Sequence, residues 1–198
     1  MDDARKGLLI TTLGVLLVVP DSLFVRLIDA QGLTIAFWRQ FLPGCLLTIG
    51  ILCVQGISPY RAVFGTGRYG VLYMFGAGVS GVLFTLAVSL TSIANVVFII
   101  ASLPVFAAVY SRIFLAEPFT PRILLTMAAV ALGLAVIALG SDKTANTSFA
   151  GDALALVVSA LFAAALTAAR CARPVSMVPA AALGYVLCSI AIMPFADP

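Results

Sequence analysis

The chain carries one apolar run after another, each close to twenty residues long and separated from the next by a few polar residues. That is the length a helix needs to cross the hydrocarbon core of a bilayer, at about 1.5 Å per residue over roughly 30 Å. Seven segments qualify: Gly7 to Leu27, Leu33 to Gln55, Tyr69 to Leu90, Ser92 to Leu115, Thr120 to Gly140, Gly151 to Arg170 and Val178 to Ala196. The runs are continuous rather than alternating, which excludes a transmembrane β-barrel. The expected fold class is all-α integral membrane, with seven transmembrane helices. Composition agrees. Of 198 residues, 63% are hydrophobic and 10% charged, against about 25% charged in a soluble globular domain. A soluble enzyme, a nucleic-acid-binding domain and a disordered chain are thereby excluded. The run after MDDARK is longer than the core of a cleaved signal peptide, and more spans follow it, so it reads as a retained first span.

The basic residues set the orientation. With the N-terminus in the cytoplasm, Arg5, Lys6, Arg61, Arg68, Arg112, Arg122, Arg170 and Arg173 all lie inside, eight of the eleven Lys and Arg residues. Lys143 falls in an outer loop, Arg26 near the outer end of span one and Arg39 within a span. The positive-inside rule then gives an N-in, multi-pass protein of the cytoplasmic (inner) membrane, its lipid bilayer the first partner. The links are short, Thr91 and Ser92 being almost all of the one between spans three and four, so successive helices run antiparallel.

A weak internal symmetry accompanies this pattern. Gly7 and Arg26 bracket span one, and Gly151 and Arg170 bracket span six, each pair nineteen residues apart and the second shifted by 144. Five spans separate the two starts, so the second unit enters the membrane in the opposite sense, as in inverted-topology repeats. The expectation is one complete five-helix repeat in residues 1–140 and a partial, inverted second repeat of two helices in 141–198. On that arithmetic the chain is either a fragment of a ten-span protein or a product short by nature.

The stretch Thr91 to Thr120, TSIANVVFIIASLPVFAAVYSRIFLAEPFT, resembles the EamA-type unit of the drug/metabolite transporter superfamily. The shared features are the small-residue start with Ala94 and Asn95, the mid-helix Pro104, and the turn with Glu117, Pro118 and Thr120. The segment AFWRQFLPG looks like the family's aromatic-x-Arg at the outer part of the second helix, with Arg39 in the Arg position. The resemblance covers roughly residues 7–140, and 151–198 more faintly. It departs where many relatives have Lys near the end of span one, here Arg26, and a Trp-Gly pair in mid-span one, here VVPDSLF. The resemblance implies a ten-helix carrier with a central cavity between its two units.

Ionisable groups within spans are costly and usually functional. Asp21 in span one and Arg39 in span two are each nine residues from Ala30, in the short link that joins the spans. They sit at similar depth, about 9 Å below the outer boundary, where an Asp21–Arg39 ion pair is geometrically reasonable. Such a pair reads either as a substrate or proton-sensitive site or as a pin between two helices. Arg26, nearer the surface, snorkels to headgroups. Trp38 reads either as an aromatic-belt anchor or, beside Arg39, as a cavity wall. Asn95, near the outer end of span four, reads either as an interhelical hydrogen-bonding group or as a substrate ligand. Pro20, Pro43 and Pro104 fall inside spans, where each can kink its helix. Gly76, Gly78, Ser80 and Gly81 in span three, and Ala163, Ala164 and Ala165 in span six, look like close-packing faces. Glu117 and Pro118, flanked by Arg112 and Arg122, read as a cap and local charge cluster.

Other chemistry is poorly supplied. There is no His, and the four cysteines form no CxxC pair, three of them lying deep inside apolar runs as small packing residues, so no metal or other cofactor is implied. No P-loop points to ATP. The only lysines, Lys6 and Lys143, lie outside the spans, which excludes a retinal Schiff base. Without His, a Ser–Lys pair in the spans or paired carboxylates, the chain is not expected to be an enzyme. The expected function is secondary transport of a small organic metabolite. The alternative is a non-transporting membrane scaffold or partner-dependent half-carrier, whose uncovered packing surface leaves room for a homodimer or a partner subunit.

Overall fold

The structure, a computed structural model, describes residues 7–9, 12–14, 16, 27–28, 30–140, 148–172 and 174–197. Helix is the only regular secondary structure among them. The helices are α1 (Gly32–Gln55), α2 (Ser58–Gly65), α3 (Arg68–Leu90), α4 (Ile93–Ile100), α5 (Leu103–Phe114), α6 (Pro121–Gly140), α7 (Phe149–Cys171) and α8 (Val178–Ile192), which runs on into a 3₁₀ turn at Met193–Phe195. Five stretches are long and apolar enough to cross a membrane: Gly32–Gln55, Arg68–Leu90, Ile93–Phe114, Phe149–Cys171 and Val178–Phe195. They coincide with predicted spans two, three, four, six and seven. The described residues are thus all-α, and their helices have the length and apolarity of a multi-pass membrane protein's. Predicted span five is α6, in which Pro121–Gly133 is a shorter apolar stretch. Most of predicted span one, with Pro20, Asp21 and Arg26, lies outside the described residues.

Local sequence explains the boundaries. Gly56 and Gly67 take positive φ, 68° and 61°, and bracket α2, which Pro59 opens in its first turn. Between α3 and α4 the backbone is extended at Thr91 and Ser92, and the Ser92 hydroxyl accepts from the Asn95 amide at 3.1 Å, an N-cap. The Thr120 hydroxyl accepts from the Ile123 amide at 3.3 Å at the start of α6.

Of the prolines expected to bend their spans, Pro43 stays within the continuous helix α1, whereas span four is broken just before Pro104. The break centres on the Ile99 carbonyl. It accepts from the Ser102 amide at 3.0 Å, the Ser102 hydroxyl at 2.6 Å and, from α7, the Ser159 hydroxyl at 3.2 Å. Two buried serines thus take up a backbone group freed where the helix is interrupted.

The packing is inside-out by the standards of a soluble protein. The buried residues are largely small or hydroxylated, among them Ala87, Ala155, Ala163, Ala165, Ala180, Ala182, Ser80, Thr85, Ser159 and Ser189. Large apolar side chains such as Leu46, Ile49, Leu125, Leu132 and Val136 point outward. In lipid, burying a leucine between helices gains little over leaving it among acyl chains. Close backbone approach decides which faces meet. Accordingly α3 and α7 form the central pair, α8 packs against both α1 and α3, and α7 also supports α4 and α5. The small-residue faces read from the sequence meet here: a Cβ on Gly76 would lie 2.9 Å from the Ala165 Cβ.

Candidate functional site

The segment Phe37-Trp38-Arg39-Gln40-Phe41 makes up about one and a half turns of α1 and sorts its side chains by direction. Phe37 is buried and stacks on Phe41, with ring centroids 5.2 Å apart and planes at 12°. Trp38 is 43% exposed and meets both rings edge-on, at 5.1 Å and 6.2 Å. Arg39, half-buried, turns toward α3. Its guanidinium carbon lies 4.9 Å from the centre of the Phe84 ring, and Nη1 donates to the Thr85 hydroxyl at 3.4 Å. Thr85, fully buried, donates in turn to the Gly81 carbonyl at 3.2 Å. A cation on an apolar helix is therefore held by a π face and a hydroxyl from the neighbouring helix.

Gln40 extends this polar seam. It is 3% exposed, and its Nε2 donates to the Gly78 carbonyl at 2.6 Å. Gly81 leaves room for it, since a Cβ there would come within 2.8 Å of Oε1. This amide is not among the site residues expected from the sequence. Its place beside Arg39 in an apolar run was the available signal.

Of the other expected site residues, Asp21 lies outside the described residues. Asn95 sits in the first turn of α4, and its Nδ2 is buried without a hydrogen-bond partner among the described residues. Packing links the Asn95 region to Arg39. Phe84, beneath the guanidinium, packs on a buried cluster of Ile35, Val88, Ile99, Ala155 and Val96, the residue after Asn95. A second polar contact was also missed. Thr91, at the end of α3, donates to Asp152 Oδ1 at 2.9 Å, and Asp152 lies in the first turn of α7, where the helix dipole favours its charge.

A large cavity lies elsewhere. It has a volume of about 750 Å³ and opens between the start of α3, the end of α5 and the end of α7. Its wall on α3 reaches Phe75, nine residues or about 13 Å along the helix from Phe84. A smaller cavity of about 340 Å³ lies on the other side of α5 and includes Glu117, Pro118 and Arg170. There the Arg170 Nη1 reaches the Ser111 hydroxyl at 3.4 Å and the Glu117 amide donates to the Ser111 carbonyl at 3.3 Å. Glu117 is thus tied through its backbone amide to Ser111 near the end of α5, and Arg170 reaches the same serine's hydroxyl. Neither cavity was legible, because leucines, alanines and phenylalanines in a membrane helix do not announce which face they leave empty.

No protein-family model matches the chain, and no curated protein does.

Proposed function

We propose that the chain is a secondary carrier of a small organic metabolite, resident in a cytoplasmic membrane with its N-terminus inside. In this reading it has seven spans, a complete five-helix EamA-like unit in 1–140 and an inverted start of a second unit in 141–198. The observation that carries the reading is Arg39. A cation half-buried on an apolar 24-residue helix, backed by Phe84 and Thr85, costs free energy that a purely structural helix would avoid. Exposed Trp38 and half-buried Asn95 supply an aromatic face and an amide for the same solute. Asp21 supplies the group for proton coupling.

The test is flux. The purified chain, reconstituted in proteoliposomes, is assayed with a panel of radiolabelled amino acids and small organic acids. Saturable uptake above that of empty vesicles, reduced at least tenfold by Arg39→Gln, is the expected result. Absence of saturable flux across the panel, from protein shown to be folded, favours the scaffold or half-carrier reading instead. For coupling, Asp21→Asn is expected to abolish the pH dependence of flux; unchanged dependence in a folded variant rejects that role.

A further inference from the structure

We infer that the cavity between α3, α5 and α7 is a binding site for an anionic phospholipid drawn from the leaflet on the Arg68 side. The inference requires only that the chain spans a membrane, and it stands whether or not the chain transports anything.

The shape comes first. Along α3 the cavity wall runs from Arg68 to Phe75, and along α7 from Cys171 back to Ala164. Each is seven residues, or about 10 Å at the helical rise. Both walls therefore start at the end of the bundle and descend to the same depth. The α7 wall is built from small residues, including Ala164 and Ala168, which is what leaves the space open. The opposite walls are bulky and apolar. Leu72, Phe75 and Phe114 border the cavity with about half or more of their surface exposed: 49%, 49% and 68%. A volume of about 750 Å³ is that of a ligand site rather than a packing defect.

The lining then selects the ligand. A small hydrophilic solute would leave these walls unsatisfied, whereas an acyl chain matches them along their length. Tyr110 and Thr167 add hydroxyls to the lining, that of Thr167 donating to the Ala163 carbonyl at 2.8 Å, and the one charged group of the lining stands at the mouth. Arg68 is exposed there, and Nη2 interacts with the Tyr69 hydroxyl at 3.1 Å while its guanidinium carbon lies 5.1 Å from that ring's centre. Five N–H groups in a planar fork suit a phosphate, and Tyr69 engages only part of them. The setting adds to this. The described loops and helix ends at this end of the bundle carry Arg61, Arg68, Arg112, Arg122 and Arg170 against one carboxylate, Glu117. Glu117 borders the neighbouring cavity rather than this one. A positive rim over an apolar slot of this depth complements a phosphate headgroup with its acyl chain below.

The experiment uses the full chain in detergent, with lipid retention read by native mass spectrometry. Phosphatidylglycerol is expected to be retained in preference to phosphatidylcholine of the same chains. Arg68→Gln should lower phosphatidylglycerol retention about fivefold, the loss of one Arg contact near a membrane surface, and leave phosphatidylcholine unchanged. Arg61→Gln, at the same end but outside the cavity, should change neither. Ala164→Phe fills the slot and should remove the preference. As a check independent of variants, a fluorophore on Cys171 in a chain without the other three cysteines should be quenched more by spin-labelled phosphatidylglycerol than by spin-labelled phosphatidylcholine. Equal losses for Arg68→Gln and Arg61→Gln would mean diffuse surface charge and overturn the site. So would displacement of the lipid by glycerol 3-phosphate at equal concentration, which would mean a site for a soluble anion. Equal quenching by the two lipids would overturn the headgroup preference.

Discussion

The Gln40 side chain fills the notch left by Gly81 and donates a 2.6 Å hydrogen bond to the carbonyl oxygen of Gly78. A buried amide on one helix is thus matched to two glycines on its neighbour. In α3 the Gly78 carbonyl has a second lone pair to offer, and the missing Cβ at position 81 is what lets Gln40 approach it.

That match can be tested by coupling. Gln40→Ala removes the bond and the packing around it, and should cost ~1–2 kcal/mol of unfolding free energy, near the upper end for interhelical hydrogen bonds in membranes. Gly81→Ala should cost a similar amount by displacing the amide. The double variant should cost clearly less than the two single losses together, because both disrupt one interaction. Reversible unfolding in mixed detergent micelles measures all three. Strict additivity would show that Gly81 serves some other contact.

The closest helix approach is a second test. A Cβ on Gly184 would run into the Met74 carbonyl, and one on Gly78 into the Gly184 carbonyl. In each case the obstacle is backbone, which cannot move aside as a side-chain tip can. Gly78→Ala and Gly184→Ala should each destabilise by ~3 kcal/mol or prevent folding. Gly50, in the same bundle but with nothing within 4 Å of its Cβ position, should accept Ala and gain ~0.5–1 kcal/mol from helix propensity. Thermal unfolding of the three variants ranks them. An equal response at Gly50 and Gly78 would remove close approach as the cause.

How far the sequence could be read follows from what each feature depends on. Span positions depend on the length of apolar runs, and the helices at Leu33–Gln55, Tyr69–Leu90 and Val178–Ala196 fall within a residue or two of expectation. The Gly76–Ala165 contact was legible because small residues clustered on two spans have one ready use in lipid. Arg39 was legible because a charge in a span is rare. Gln40, Asp152 and the cavity were not. An uncharged amide, a carboxylate at a helix start and a slot lined by alanine take their meaning from the neighbouring helix, and helix pairing is not written in hydropathy. Proline shows the same limit. Pro43 and Pro104 look alike in sequence, yet only the latter follows a helix break, where Ser102 and Ser159 satisfy the Ile99 carbonyl.

The Thr91–Asp152 contact ties the end of α3 to the first turn of α7. Thr91→Val keeps the shape but removes the hydroxyl, and should cost ~1–2 kcal/mol, since the acceptor is a carboxylate. Asp152→Asn keeps an acceptor oxygen and should cost less than Asp152→Ala, which leaves the buried Thr91 hydroxyl without this partner. Hydrogen exchange at the amides of the first turn of α7 should speed up in the order Asn, then Ala. Equal acceleration in the two variants, which alike remove the charge, would point to the charge rather than the hydrogen bond.

Arg39 allows the transport reading to be separated from a structural one. If Arg39 meets the solute, Arg39→Lys keeps the charge but loses the planar stack on Phe84 and the fork of donors. Its flux should persist with KM raised, while Arg39→Gln should lose flux at least tenfold, about 1.4 kcal/mol of transition-state stabilisation. Phe84→Leu removes the π face beneath the guanidinium and should raise KM about threefold, within the usual worth of a cation–π contact. Thr85→Val should do less, because the Arg39–Thr85 bond at 3.4 Å is at the long limit for a hydrogen bond. If instead Arg39 only pins α1 to α3, all four variants should lower unfolding stability together and leave KM where it was. Parallel measurement of KM, maximal flux and thermal stability on the same preparations decides between the two.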